Sequence, residues 1–425
     1  MKFRLTLTLF IAFTSLFGQE NSVTVILAGN LIDTETGNIL TNQKILIEDD
    51  IIRAVGPNID VPKGAEVIDL SEYWLLPGLV DCHTHLQHQF EDIHQTTFPG
   101  WPVDNALLIP GYAERTLMAG FTTVRNMGAE DFSGIALKKA IDAGRLPGPR
   151  MQVSGLFLNS TNGAVDYRKK GFSNVPEEFS MVADGETQIR QKIRHNVKYG
   201  ADWIKVMAGG SAFGTPEQVS IVNYTDEELK TFVDEAKRWN RDVAAHAHSA
   251  EAIKAAARAG VTSIEHGSLL DAEGATMIRE KGIYLVTDVY AGSPIIAKLE
   301  KEGNEKRASI EREFYRKQKM GFEQAIKAEL TIVFGTDAGV IPHGDNAKQF
   351  AVMVDWGMTP IQALQSATIT ASKLLRWEDK IGSIKVGKWA DIIAVKINPL
   401  QDISSLEKVL FVMKGGKIYK NVTSN

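Results

Sequence analysis

The hydrophobic and polar positions follow two different patterns along the chain. Near both ends, short β-rich runs such as "VTVILAGNLID" and "KVLFVMKGGKIYK" are separated by turn residues. Between these ends, apolar runs alternate with polar loops and amphipathic helical segments. The runs that we predict to be strands are "GLVDCHTH", "FTTVRNM", "RMQVSG", "DWIKVMA", "DVAAHAH", "TSIEHG", "IYLVTDV" and "LTIVFGTDAG". Eight strands alternating with helices over about 300 residues predict an α/β fold, the (β/α)8 TIM barrel.

The β-rich segments at the two ends are expected to meet beside this barrel. We predict that residues 19–75 and 376–425 together form a small β-sandwich domain, and that residues 76–375 form the barrel. In the last β-rich run, Gly415 and Gly416 are predicted to form a hairpin turn.

The first 18 residues differ from the rest of the chain. Lys2 and Arg4 precede an apolar stretch that closes on Gly18, as in a secretory signal peptide. This stretch is shorter than the ~20 apolar residues that span a bilayer. We therefore expect residues 1–18 to be removed and the protein to be exported, to a bacterial periplasm or the medium. A buried N-terminal strand or helix is the alternative.

Composition excludes several classes of function. A formal net charge of -5 without any basic block gives no reason to expect a nucleic-acid partner. Beyond the N-terminal stretch, no membrane span is expected. The single cysteine, Cys82, cannot form an intramolecular disulfide, so the fold must be held by its core.

Polar residues suited to metal binding fall at the predicted strand ends. In a (β/α)8 barrel, the C-terminal strand ends face the active site. Imidazoles and carboxylates are common zinc ligands, and histidines one residue apart on a strand share a face. A lysine within "WIKVMAGG" should be buried, which is costly for an isolated ammonium; a surface lysine is the alternative. The residues concerned are His83, His85, Lys205, His246, His248, His266 and Asp337.

Five motifs in this order carry a resemblance to a known family. The stretches "DCHTH", "ADWIKVMAGG", "VAAHAHS", "SIEHGS" and "FGTDAG" resemble the metal-dependent amidohydrolase superfamily, in its imidazolonepropionase-like and prolidase-like branch. The resemblance extends over roughly residues 23 to 422, including the flanking β-rich segments.

The resemblance implies a site for two divalent metal ions. Lys205 would be carboxylated by CO2 and bridge the metals, with His83, His85 and Asp337 on one metal and His246 and His266 on the other. A hydroxide would bridge the metals, and Asp337 would act as general acid and base. Zinc is the expected metal, with manganese or cobalt as alternatives.

The resemblance leaves the substrate open. Relatives cleave dipeptides, N-acyl amino acids and related amides. Many prolidase-like members have a histidine after the third strand, where this chain has Ala164 within "STNGAVD". The candidates for substrate contacts are His248, His343, Tyr290, Tyr167 and Arg168. Each loop candidate is equally well explained as a solvated residue, and Trp101 is a candidate for a lid or an oligomer contact.

The leading interpretation is an exported binuclear amidohydrolase that cleaves a peptide-like or N-acyl amino acid amide bond. One alternative keeps the metals and cleaves a cyclic amide, a lactone or a carbamate instead. A further alternative is a non-catalytic metal-binding protein on the same fold. The expected partner is a small-molecule substrate, and homo-oligomers are common in the family.

Overall fold

The computed structural model describes residues 23–89, 102–129, 131–163, 166, 181–212 and 215–423, and of residues 102–105 it describes the backbone alone. The predicted signal peptide lies outside these ranges, as do Trp101, Ala164, Tyr167 and Arg168. No helix in the described part of the chain is both long enough and apolar enough to cross a membrane.

The described ranges contain fifteen strands and twelve α-helices. The strands are β1 (Val23–Ile32), β2 (Ile39–Glu48), β3 (Ile51–Gly56), β4 (Glu66–Pro77), β5 (Leu79–Thr84), β6 (Phe121–Asn126), β7 (Arg150–Val153), β8 (Trp203–Met207), β9 (Asp242–Ala247), β10 (Ser263–His266), β11 (Tyr284–Thr287), β12 (Ile332–Phe334), β13 (Ile392–Val395), β14 (Phe411–Lys414) and β15 (Lys417–Asn421). The helices are α1 (Pro102–Met118), α2 (Ser133–Asp142), α3 (Gly185–Tyr199), α4 (Pro216–Val219), α5 (Asp226–Arg238), α6 (Ala250–Ala259), α7 (Ala272–Lys281), α8 (Gly292–Lys301), α9 (Glu305–Lys327), α10 (Lys348–Asp355), α11 (Pro360–Ser366) and α12 (Ile369–Leu374), and a 3-10 helix covers Ile403–Lys408.

Strands from both ends of the chain form one seven-stranded sheet, in the order β15-β14-β13-β4-β1-β2-β3. β4 joins the two halves, because it pairs in parallel with β1 and antiparallel with β13. A single hydrophobic cluster takes side chains from both halves, including Ile26, Ile45 and Phe411. The predicted turn at Gly415 and Gly416 connects β14 to β15, and both glycines have positive φ angles of 56° and 70°. The two ends therefore meet as predicted, as one continuous sheet.

The eight predicted barrel strands are β5 to β12, in sequence order. In the described ranges they form two parallel sheets, β5-β6-β7 and β12-β11-β10-β9-β8. Parallel bridges close the gaps between these sheets, from Leu158 to Val206 on one side and from Thr84 to Ala338 on the other. The predicted TIM barrel with a small β-rich domain is confirmed.

Helix starts in the barrel follow the local sequence. Thr225 caps α5, where its side chain accepts a hydrogen bond from the backbone N–H of Glu228 while the Glu228 side chain accepts one from Thr225. Ser249 caps α6 directly after His248, the second residue after His246 of β9. The residues at this strand end are therefore followed at once by a fixed helix start.

A buried carboxylate joins the first barrel strand to the last. Asp81 Oδ1 accepts hydrogen bonds from the backbone N–H groups of His83 and Thr336, both at 3.1 Å. Asp81 Oδ2 accepts from Thr336 Oγ1 at 2.6 Å and from Asn346 Nδ2 at 2.8 Å. Burial raises the pKa of Asp81 to about 6 against the effect of these donors. This junction, which we call the Asp81 seam, fixes His83 next to the chain segment that carries Asp337.

Candidate metal centre

The structure brings all six predicted ligands to the C-terminal mouth of the barrel. His83 lies in β5, Lys205 in β8, His246 in β9 and His266 at the end of β10, while His85 and Asp337 directly follow or closely follow β5 and β12. The structure thus shows that these six side chains lie close together. That they bind metal stays a prediction.

The first group of ligand atoms comes from β5 and the segment after β12. Asp337 Oδ1 lies 3.2 Å from His85 Nε2 and 3.5 Å from His83 Nε2. This oxygen is buried and has no hydrogen-bond partner among the described residues. Burial opposes ionisation of Asp337, but the nearby His85, His266 and Lys205 outweigh it and hold the pKa of the carboxyl below its usual range. An ionised, unsatisfied oxygen between two imidazoles fits a cation.

The second group comes from the ends of β9 and β10. The rings of His246, His248 and His266 lie with their centroids 4.5 to 4.6 Å apart. Each offers one nitrogen within 4.8 Å of the others. Burial lowers the pKa values of His246 and His248 well below that of free histidine. Both rings are therefore neutral, which is the form that binds metals.

Lys205 lies against the first group. Its side chain is 2% exposed, and its Nζ is 3.3 Å from His83 Nε2. Burial lowers the pKa of Lys205 to about 8. The neutral amine, the form that can react with CO2, is thus more accessible near neutral pH than for a surface lysine. The predicted burial of this lysine is observed.

Each histidine of the predicted ligand set is oriented by a hydrogen bond at one ring nitrogen. The partners are Glu265 Oε2 for His83 Nδ1 at 2.7 Å, Gly128 O for His85 Nδ1 at 3.0 Å, Gly210 O for His246 Nε2 at 3.2 Å and Asp288 Oδ2 for His266 Nδ1 at 2.9 Å. Such partners fix the tautomer and leave the other nitrogen for a metal. Each group thus contains one histidine backed by a carboxylate and one backed by a backbone carbonyl.

The two supporting carboxylates were not predicted from the sequence. Glu265 and Asp288 are both buried. Asp288 Oδ1 accepts from Gln318 Nε2 at 3.3 Å, and Asp288 raises the pKa of His266 although burial acts in the opposite direction. Asp288 directly follows β11 in "VTDV", so its position at a strand end was the signal that could have revealed it.

Two of the predicted ligands have backbone conformations that are rare for residues other than glycine. His266 has a φ angle of 70° and Asp337 a φ angle of 57°. Such left-handed conformations cost free energy and persist where the surrounding structure imposes them. The barrel therefore holds both side chains in place before anything binds.

The substrate candidates lie in different surroundings. His343 Nε2 is 2.7 Å from the backbone oxygen of His88, and its ring stacks on Tyr112 at 5.3 Å. Tyr290, close behind β11, is half-buried and packs beside a small cluster that contains Ala338. His248 Nδ1 is 2.8 Å from Ser268 Oγ, which leaves Nε2 of His248 for another partner. Their roles in substrate binding stay predictions, as do those of Tyr167 and Arg168.

The donor set fits divalent metal ions. Neutral imidazoles with a carboxylate are typical ligands of zinc and of related transition metals. The unsatisfied Asp337 Oδ1 supports the same interpretation, because buried polar atoms without partners are rare. Metal binding at these residues is therefore chemically reasonable, and the identity of the metal is a separate question.

Comparisons with known proteins agree with this architecture. The profile of the Amidohydrolase family matches residues 74–419. Ochratoxinase from Aspergillus niger is 32% identical over 430 residues, which cover 95% of this chain and 88% of that protein. The crystal structure of a Xaa-Pro dipeptidase with bound methionine is similar with a TM-score of 0.88 and 36% identity, covering 94% of this chain and 100% of that one. The A. niger ochratoxinase structure has a TM-score of 0.83 and 31% identity, covering 95% and 96% of the two chains.

These relatives and the residues at the barrel mouth support the same family assignment. The match covers most of the chain, and the similar structures include a prolidase bound to N-methylphosphonate-L-proline, with a TM-score of 0.85 and 28% identity over 94% of this chain and 100% of that one. The chain therefore belongs to the amidohydrolase family, in its prolidase-like branch, and is a hydrolase of amide C–N bonds.

Proposed function

We propose that the protein is an exported, binuclear metal-dependent amidohydrolase that cleaves the amide bond of a dipeptide or an N-acyl amino acid. The observation that carries the proposal is the position of Lys205. Its Nζ is 3.3 Å from Nε2 of His83 in the first group, and its strand β8 pairs in parallel with β9, which carries His246 of the second group. A lysine shared in this way is suited to bridge two metals.

The ligand sets are those that the family resemblance implies. One metal ion would be held by His83, His85 and Asp337, the other by His246 and His266, and carboxylated Lys205 would serve both. When bound, such ions polarise the scissile carbonyl and lower the pKa of water. Zinc is the metal that we propose, on the basis of the imidazole-rich donor set.

Asp337 supplies the proton transfer in this proposal. Its carboxylate is ionised, and with Oδ1 beside the imidazoles of His83 and His85 its second oxygen, Oδ2, can take a proton from the attacking water. The water oxygen bonds to the carbonyl carbon, the C–N bond breaks, and Asp337 returns the proton to the leaving nitrogen. The products are a carboxylic acid and an amine.

The proposed substrate class rests on the relatives. An Xaa-Pro dipeptidase and a prolidase are among the similar structures, and ochratoxinase is similar in both sequence and structure. We do not propose specificity for proline, because Ala164 stands where many prolidase-like relatives have a histidine. Hydrolysis of a cyclic amide, a lactone or a carbamate is the alternative.

The first experiment measures free-amine release from a library of dipeptides and N-acyl amino acids. The enzyme is reconstituted with zinc and bicarbonate, and its metal content is measured by mass spectrometry. We expect the wild-type enzyme to hold two metals per chain and to release amine from a defined subset of the library. We expect a Lys205→Ala variant to release no amine. No release from the whole library by enzyme holding two metals contradicts the substrate class and directs the test to the cyclic substrates.

Export is tested separately on the full-length chain. Expressed in a bacterium with its own leader, the protein should be recovered outside the cytoplasm with an N-terminus near Gln19. Recovery from the cytoplasm with residues 1–18 intact contradicts export and leaves the enzymatic proposal unaffected.

A further inference from the structure

The long helix α9, which follows β11 and α8, lies against the second group of histidines. Phe314, Gln318 and Gly321 are spaced by four and three residues, so they share one face of this helix. All three contact residues at the mouth of the barrel. We call these three residues the stripe of α9; through them the helix contacts the candidate site.

Gln318 and Gly321, the two C-terminal residues of the stripe, fix the helix in place. Gln318 Nε2 is 3.3 Å from Asp288 Oδ1, the carboxylate that orients His266. A Cβ atom at Gly321 would lie 2.5 Å from the carbonyl oxygen of Ser268, so only glycine permits this close approach. Ser268 in turn contacts His248. α9 is thus in contact with the partners of two histidines.

Phe314 lies one helical turn before Gln318 in the stripe, beside His248. The two ring centroids are 5.7 Å apart with an interplanar angle of 73°, an edge-to-face contact. The side chain is only half-buried, so part of the ring is left for another group. On the side of the first group, the ring of Phe157 makes a similar edge-to-face contact with His85, at 6.4 Å. Aromatic rings therefore flank both groups of histidines.

Arg307 and Glu311, on the same face of α9 and closer to its N-terminus, form an ion pair. Arg307 donates a hydrogen bond to Glu311, and it also donates one to the backbone oxygen of Ala212 after β8, at 3.4 Å. Glu311 is buried, and burial raises its pKa although Arg307 acts against this. The helix thus presents the ring of Phe314 next to two charges that already bind each other. Such a surface favours contact with an uncharged group of a ligand over contact with a charged one.

From these contacts we propose that Phe314 is a specificity-determining residue, whose ring packs against a large apolar or aromatic side chain of the substrate. The inference rests on the proposed function and deepens it, since it names the class of dipeptide that the site prefers. The locked position of α9 explains why the ring keeps its place over His248. Burial of an apolar group against a ring is favourable and independent of direction, unlike a hydrogen bond.

The test compares two series of dipeptides, Xaa-Ala and Ala-Xaa, in which Xaa is alanine, leucine, phenylalanine or lysine. The variants are Phe314→Ala and Phe314→Leu. Met320→Ala is the matched control, because Met320 lies on the same helix and is 55% exposed. Metal content and thermal unfolding are recorded for every variant, so that a loss of folding is recognised.

Wild-type enzyme should prefer phenylalanine and leucine over alanine and lysine in one of the two series. Phe314→Ala should lower kcat/KM about tenfold or more for those two substrates, and leave the value for the alanine substrate almost unchanged. Phe314→Leu should retain most of the preference, and Met320→Ala all of it.

Two outcomes overturn different statements. If Phe314→Ala lowers kcat/KM by the same factor for all substrates, or changes none of them, the role of Phe314 in specificity is wrong while the proposed function stands. If wild-type enzyme with two bound metals cleaves no dipeptide and no N-acyl amino acid, the proposed function is wrong, and this inference with it.

Discussion

Nδ1 of His83 lies 2.7 Å from Oε2 of Glu265, and Arg125 binds both oxygens of that carboxylate, at 2.8 and 2.9 Å. All three side chains are buried. The guanidinium holds the carboxylate in place by donating hydrogen bonds to both of its oxygens. Glu265 therefore accepts the Nδ1 proton of His83, and Nε2 of His83 is directed to Lys205.

Substitution of Glu265 should affect metal binding as well as stability. For Glu265→Gln we expect metal affinity to fall about 10- to 100-fold, because His83 loses its charged partner. The free energy of unfolding should fall by about 3–5 kcal/mol, since Arg125 is left as an unpaired buried charge. Chelator competition measures the first quantity and urea unfolding of the metal-free protein the second.

A double variant separates these two effects. Glu265→Gln combined with Arg125→Met removes both charges and should recover part of the lost stability, while metal affinity stays low. Wild-type metal affinity in either variant would show that Glu265 does not orient His83 for metal binding.

In the proposed function, Lys205 is the residue that would bridge the two metals. Lys205→Ala should abolish amine release with little effect on unfolding, because it removes a buried amine whose charged form is disfavoured by burial. Short carboxylic acids such as acetate should restore part of the activity by replacing the proposed carbamate. Wild-type turnover in the alanine variant, measured with equal metal content, would contradict the bridging role.

Asp337 can be tested by a substitution that respects its backbone. Asparagine tolerates the left-handed conformation found at φ 57°, so Asp337→Asn removes the charge with little added strain. We expect kcat to fall about 10²- to 10⁴-fold, with a smaller change in the melting temperature. Asp355→Asn is the control, since the Asp355 side chain is 74% exposed on the surface. An Asp337→Asn enzyme with unchanged kcat would refute the proton-transfer role.

The sequence predicted the barrel, and the position of the candidate ligands at its mouth, better than the residues that support them. The apolar runs marked all eight strands, and the histidines fell at their ends because the fold places chemistry there. Arg125 was not recognised, because a single charge within the apolar strand β6 gives no sign of its partner across the barrel. Gln318 was not recognised either, because its contact with Asp288 depends on how α9 packs after β11.

His343 illustrates the same limit for loops. Its position in "IPHGDN" suggested a substrate contact, which stays a prediction, but did not indicate that its Nε2 lies 2.7 Å from the backbone oxygen of His88 and its ring on Tyr112. Both partners are distant in sequence, and no periodicity links them to His343. The contact became visible only with the tertiary structure.

This buried histidine predicts a dependence of stability on pH. Burial lowers the pKa of His343 from 6.5 to about 4, although its hydrogen bond to His88 acts in the other direction. The unfolded chain therefore binds a proton at a higher pH than the folded one, and stability is lost as the pH falls from 6.5 towards 4. Between pH 7.5 and 5 this group should contribute a loss of about 2 kcal/mol.

Urea unfolding at the two pH values measures this loss. His343→Gln, which retains a hydrogen-bond donor, should lose less stability than wild type over the same interval, since the other titrating groups are common to both proteins. Equal losses in the two proteins would assign the acid sensitivity to other residues.

The Asp81 seam has a consequence for how the protein is made. The segment that carries Asp337 follows His83 by most of the length of the barrel, and the strands that complete the small sheet come later still. A ribosome releases the chain from its N-terminus, so His83 and His85 emerge long before the residues that hold them against Asp337. The candidate ligands therefore come together only after every barrel strand has left the ribosome.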